Sequence, residues 1–246
     1  MTERPQDTPA EEPDGGNPHI RFRGGPRRGD RPGLLNNKMP AEVMAEYGPF
    51  PGVEQIGGVS YDGSRVWFAS GDRLNALDLE SGAIHRTINM AAHAGTAFDG
   101  KYLYQLSEDR ILKLEPATGR VVGSIPAPTG GGSGMAWAEG ALWVGQYRAR
   151  KILQVDPQTG TVLRTIESNR FVTGVTWVDG ELWHGTLEND TSDLRQIDPK
   201  SGEVLRQLDM PSDMRVSGLE SDGGDRFFCG GASSGKVRIV RRPKGD

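Results

Sequence analysis

The chain has 246 residues, a mass of 26.7 kDa and a formal net charge of −4. That balance leaves no electrostatic footprint for nucleic acid or an anionic membrane surface, and no apolar run is long enough to span a bilayer. Thirty-five glycines against 35% hydrophobic residues suit turn-dense β architecture, and the single cysteine, Cys229, excludes an internal disulfide.

Met1–Asn17 is rich in Pro, Asp, Glu and Gly and has no core-forming pattern, so disorder is expected there. It also has no hydrophobic signal-peptide region, and a soluble cytoplasmic protein is the expectation. His19–Pro32 is arginine-rich. Because the whole chain is acidic, a solvated tail is favoured over a nucleic-acid-binding arm. Residues 1–40 are therefore expected to be a disordered or loosely attached tail, and residues 41–246 a single domain.

Beyond the tail one pattern recurs. A glycine precedes a short β-type run at Gly58, Gly95, Gly134, Gly174 and Gly218, at spacings of 37, 39, 40 and 44 residues. Each run ends in a tight-turn signal: Asp62-Gly63, Asp99-Gly100, Glu139-Gly140, Asp179-Gly180 and Asp222-Gly223. The next run carries an aromatic each time: Trp67, Tyr104, Trp143, Trp183 and Phe228. A later turn recurs as Leu79–Gly82, Pro116–Gly119, Pro157–Gly160 and Pro199–Gly202. The repeat is clearest over Thr173–Leu208, which predicts four strands at Val175–Val178, Glu181–Thr186, Leu194–Ile197 and Val204–Leu208. Four antiparallel strands in about forty residues have the size of one β-propeller blade. Five such units predict an all-β, five-bladed β-propeller.

The last unit is one strand short, since Gly218–Val240 supplies only three. Glu42–Pro51 leads into Gly58 as Val204–Pro211 leads into Gly218, so it reads as the missing outermost strand. A ring closed in this way leaves no open sheet edge where its ends meet.

The Asp156–Gly160 and Asp198–Gly202 turns, the Trp177–Trp183 hairpin and the final Asp225–Gly231 run resemble the five-bladed glutaminyl-peptide cyclotransferase-like propellers. Virginiamycin B lyase and other YVTN-type propellers are more distant look-alikes. The likeness covers roughly Glu42–Val240. It implies a glutamine and a glutamate just before the first two blade glycines, where this chain has Gly57 and Ala94. It also implies an aromatic where Ser133 stands and a lysine where Ala232 stands. Without those groups, pyroglutamate formation from N-terminal glutamine is not expected, and no catalytic residue carries over from the family.

In a propeller, the segments leading into each innermost strand and the loops after each second strand meet at one end of the channel. The lead-in segments offer Glu54, Gln55, His93, Ser133, Arg170, Thr173, Arg215 and Ser217. The second strands and their loops offer Gln105, Gln146, Tyr147, His184, Glu188 and Cys229. Glu220 stands where the other repeats have Ser60, Ala97, Ala136 and Thr176, and a carboxylate there needs a partner.

His93, His184 and Glu220 are the candidate catalytic set, because imidazole and carboxylate transfer protons near neutral pH. Glu54, Gln105, Gln146, Arg170 and Arg215 are the candidate substrate-binding residues, the arginines as anion clamps. The structural alternatives are a strand histidine satisfied by its surroundings, a Glu220–Arg215 ion pair, and surface pairing of both arginines. Cys229 reads as a packed thiol and the repeated tryptophans as blade packing. A divalent metal at the channel mouth is compatible with the His and Glu inventory, and no cofactor is otherwise implied.

Two function classes follow. The first is an enzyme acting on a small polar or anionic molecule at the channel mouth, as a lyase, cyclotransferase or hydrolase. The second is a non-catalytic propeller that binds a peptide or protein across one face. The charged, recessed inventory favours the first, with a small-molecule substrate, no nucleic-acid or membrane partner, and a monomer.

Overall fold

A computed structural model describes residues 38–244. The acidic and arginine-rich segments of the expected tail lie outside the described residues. Two short strands come first, β1 (Lys38–Pro40) and β2 (Val43–Tyr47). Blade 1 is β3 (Val59–Tyr61), β4 (Val66–Ser70), β5 (Arg73–Leu77) and β6 (Ile84–Asn89). Blade 2 is β7 (Thr96–Phe98), β8 (Leu103–Ser107), β9 (Arg110–Leu114) and β10 (Val121–Pro126). Blade 3 is β11 (Met135–Ala138), β12 (Ala141–Gln146), β13 (Lys151–Val155) and β14 (Val162–Glu167). Blade 4 is β15 (Val172–Val178), β16 (Glu181–Thr186), β17 (Asp193–Ile197) and β18 (Val204–Asp209). The last blade has β19 (Gly218–Ser221), β20 (Arg226–Gly230) and β21 (Val237–Arg241). Each blade is an antiparallel meander, and together they form a five-bladed β-propeller.

The ring closes as the sequence predicts. β2 pairs antiparallel with β21, placing Ala45 opposite Ile239 and Tyr47 opposite Val237, so Glu42–Pro51 supplies the outer strand of blade 5. Arg238 and Arg241 reinforce that pairing through Glu46 and Glu42, each at 2.8 Å. One element is additional. β1, the end of the segment expected as tail, lies parallel to β18 as a fifth strand of blade 4, with Lys38 paired to Asp209 at 3.3 Å.

The repeat markers have local causes. The hairpin aspartate of blade 1 caps its own turn through the amides of Ser64 and Arg65, and its other oxygen accepts the Trp67 indole N–H at 2.7 Å. Asp99 does the same for Tyr104. One residue type thus shapes the turn and fixes the blade aromatic. At the later turns, Asp78, Asp156 and Asp198 accept backbone amides two or three residues on, just before a glycine at positive φ. Aromatics then stack between neighbouring blades, Tyr104 on Trp137 and Trp143 on Trp177, so the core is a set of interblade layers.

The five glycines that set the period form a ring around the axis. A Cβ on Gly58 would lie 2.5 Å from the Ala94 carbonyl, and one on Gly95 would lie 2.6 Å from Gly134 backbone. Gly134 would meet Gly174 at 2.5 Å, Gly174 would meet Leu219 N at 2.3 Å, and Gly218 would meet Val59 N at 2.7 Å. Each innermost strand touches the next one backbone to backbone, which only a residue without a side chain allows. This ring is the waist of the propeller.

Candidate functional site

Immediately on one side of the waist is a cavity of about 740 Å³. Gly57, Ala94, Ser133, Thr173 and Ser217, the residues directly preceding the ring glycines, form its base. Its walls come from Gln55 and His93 before them and from Tyr147, Arg148 and Leu187, which follow second strands. The channel mouth and the meeting of lead-in segments with second-strand loops are therefore as expected.

The chemistry of the lining is simple. Gln55, His93 and Arg148 are exposed, and their side chains have no hydrogen bond or ion pair among the described residues. No carboxylate lines the cavity. The site thus carries one uncommitted guanidinium, one imidazole and one amide against hydroxyl and apolar walls. An uncommitted cation without a carboxylate neighbour favours an anionic ligand.

The base is tied together by hydroxyls. Ser133 Oγ donates to the Val172 carbonyl of blade 4 at 2.7 Å, and Ser217 Oγ donates to the Ile56 carbonyl, joining blade 5 to blade 1. These hydroxyls sit over Gly145 and Gly230, whose absent Cβ atoms leave them room. Thr173 stands over Gly185 in the same way, but its Oγ1 has no partner among the described residues. The position where the family resemblance implies an aromatic thus holds, as Ser133, an interblade latch.

The proposed catalytic set is not brought together. His93 lines the cavity. His184 is buried on β16, opposite Val175 and past the waist, and its Nδ1 lies 3.3 Å from the Gly185 carbonyl. Burial, with Arg195 nearby, pushes the His184 pKa down to about 4, so it is a neutral packed imidazole at physiological pH. Glu220 is two residues past Gly218, roughly 7 Å farther along the strand. It faces Phe228 in register, and its Oε1 accepts the Thr176 hydroxyl at 2.6 Å and the Ser221 amide at 2.8 Å. Burial pushes its pKa up to about 7. The glycine ring separates both groups from the mouth. The expected Glu220–Arg215 pair is also absent, because Arg215 instead binds Asp190 at 2.7 Å on the surface.

The other candidates have structural partners. Gln105 is buried, its amide directed at the Ala94, Gly95 and Leu106 carbonyls. Gln146 donates to the Thr129 and Gly131 carbonyls and so pins the glycine-rich lip of the mouth. Arg170 pairs with Asp193 at 2.8 Å and Glu188 at 3.4 Å, which commits the guanidinium expected as an anion clamp. Glu54 is exposed and is not part of the cavity lining. Cys229 is buried, its pKa pushed up to about 12 by burial, in keeping with a packed thiol. Among the described residues no group of three or more His, Cys, Asp or Glu side chains is placed to hold a metal ion. No helix among them is long and apolar enough to cross a membrane.

Arg148 is the residue that sequence reasoning missed. The signal was its place directly after Gln146 and Tyr147, in the loop that follows a second strand. Its charge lacks a complementary residue at strand spacing, but it lies in a loop and not at a repeat-breaking position within a strand.

A five-bladed propeller with a recessed, carboxylate-free mouth defines the class of this protein. Its backbone is similar to that of glutaminyl cyclase from Myxococcus xanthus, with a TM-score of 0.71 and 18% identity over 83% of this chain and 97% of that one. At that identity the likeness is one of fold. No family model and no curated protein matches the sequence.

Proposed function

We propose that the chain takes a small anionic molecule into the channel mouth and acts on it as an enzyme, Arg148 holding the anion and His93 moving the proton. The observation that carries this reading is the lining itself: an uncommitted guanidinium and an imidazole in one recessed cavity with no carboxylate. Lyase chemistry is the class that one such pair can serve. A guanidinium that binds a carboxylate stabilises the charge that develops when the adjacent C–H proton leaves for imidazole, and that electron pair then forms a C=C bond as the substituent on the β-carbon departs with its bonding pair. Cyclisation of N-terminal glutamine is not expected, because the lining has no carboxylic acid or carboxylate to carry the proton. The apolar residues exposed on the surface, such as Val121, Val122, Val162 and Leu163, are on outer strands of different blades and give no support for a peptide-binding face.

The test is calorimetric titration and thermal shift with small carboxylates and phosphate esters. Binding by the parent protein should weaken at least roughly tenfold in Arg148→Ala, while His93→Ala should keep binding and lose turnover. Equal binding by Arg148→Ala would defeat the assignment.

A further inference from the structure

The wall beside Arg148 says what kind of anion fits. Tyr147 lines the cavity, and its ring stacks on Phe171 with centroids 4.8 Å apart and planes 23° from parallel. The Arg150 guanidinium lies 4.3 Å from the Phe171 centroid. Tyr147 and Arg150 therefore both pack on the Phe171 ring.

The stack is held from behind. Arg150 binds Glu188 at 2.7 Å and the Asn169 carbonyl at 3.2 Å. Glu188 is gripped in turn by Arg170, which also binds the buried Asp193. Asp193 anchors Arg195, and Arg195 returns to the Asn169 side chain at 2.6 Å. Phe171 is thus packed by both Arg150 and Tyr147, and Tyr147 in turn lines the cavity. The Tyr147 hydroxyl makes no hydrogen bond among the described residues, so the ring is positioned by its face and not by its polar tip.

We infer that the mouth selects anions bearing a planar ring, such as aromatic or heteroaromatic carboxylates. The ring would form the next layer on Tyr147 while the anionic group meets Arg148, its neighbour in the chain. This inference rests on the anion-binding reading of the mouth and adds the chemical class of the ligand. Because Phe171 and Arg150 already immobilise Tyr147, little ordering remains to oppose stacking, and an offset-stacked ring is a favoured partner for another.

The test compares phenylacetate with cyclohexylacetate, which share charge and carbon skeleton but differ in planarity. Calorimetry should give phenylacetate roughly three- to tenfold tighter binding to the full chain. The preference should survive Tyr147→Phe and vanish in Tyr147→Leu. A readout that needs no variant is the proton spectrum of bound phenylacetate, whose ring protons should move upfield. Equal binding of the two probes, a preference retained in Tyr147→Leu, or the absence of an upfield shift overturns the inference and leaves the anion reading standing. If neither probe binds, or if Arg148→Ala binds both unchanged, the anion reading falls and this inference falls with it.

Discussion

Above the glycine ring, Gln55, His93 and Arg148 are exposed and unpartnered among the described residues. Beneath it, His184, Cys229 and Glu220 are packed among strands, and burial shifts the ionisation of each. The two layers come from equivalent segments of different blades, only a few residues apart in register. What separates them is the ring, where the backbones of adjacent innermost strands touch. A residue that departs from its repeat beneath the ring alters packing, whereas one that departs above it alters chemistry.

The ring itself is the place to break that division. Gly174→Ala would put a Cβ 2.3 Å from Leu219 N, a clash with backbone that rotamer changes cannot relieve. A loss of at least about 3 kcal/mol is expected in denaturant unfolding. Gly63→Ala is the control: it has open space but φ of +92°, and should cost about 1 kcal/mol through conformation alone. Equal losses at the two sites would mean that the waist is not close-packed.

The lower layer can be tested by pH. His184 has a folded pKa near 4, below its usual 6.5, so the unfolded chain binds its proton first and stability falls as pH drops from about 6.5 to 4. Glu220 has a folded pKa near 7, above 4.5, so the unfolded chain releases its proton first and stability falls as pH rises from about 4.5 to 7. Each effect is on the order of 3 kcal/mol, and the two oppose each other across their common window. The parent should therefore be nearly flat between pH 4.5 and 6.5. His184→Gln should unmask stability falling with pH, and Glu220→Gln stability rising with it. Slopes of the same sign in the two variants would show that one of these groups is solvated.

The propeller was legible because its markers act locally. An Asp-Gly turn needs its aspartate cap and positive φ wherever it occurs, and the five glycines keep their period because the ring admits nothing larger. The closing strand was legible as well, since a three-stranded last unit demands a fourth. β1 was not: three exposed residues, Lys38–Pro40, in parallel pairing leave no alternation to read. The site was half legible. Sequence placed His93 at the mouth, but register alone does not reveal where adjacent backbones touch, so His184 and Glu220 were grouped with it. Arg170 and Arg215 looked like free cations because their partners, Asp193 and Asp190, lie more than twenty residues away in the chain.

A smaller effect concerns the hydroxyls at the upper edge of the ring. Ser217 Oγ donates to the Ile56 carbonyl and accepts the Ala232 amide at 3.0 Å, so it joins the last blade to the first. Ser217→Ala should cost about 1–2 kcal/mol, because a part-buried carbonyl and amide lose their partner together. Ser133→Ala, which loses one bond to Val172, should cost about 1 kcal/mol. Thermal unfolding of the two variants gives the ranking, and a cost at Ser133 equal to or above that at Ser217 would contradict the count of bonds.

Thr173 is where the smallest change is expected, and its sign carries the information. It stands over Gly185 as Ser133 and Ser217 stand over their glycines, and it is only 5% exposed, yet its Oγ1 has no partner among the described residues. A buried hydroxyl without a partner carries a desolvation cost and returns nothing for it, whereas a methyl of the same shape carries none. Thr173→Val keeps the β-branch that suits a strand. It should therefore be neutral or stabilising by up to about 1 kcal/mol, where the serine substitutions destabilise. If Thr173→Val instead lost as much as Ser133→Ala, the hydroxyl would be turning to the Val216 carbonyl as a third latch. The three would then form a continuous arc from blade 3 to blade 1. The outcome decides whether Thr173 adds a contact between blades 4 and 5 to those that Ser192 makes with the Val216 amide and Asp190 with Arg215.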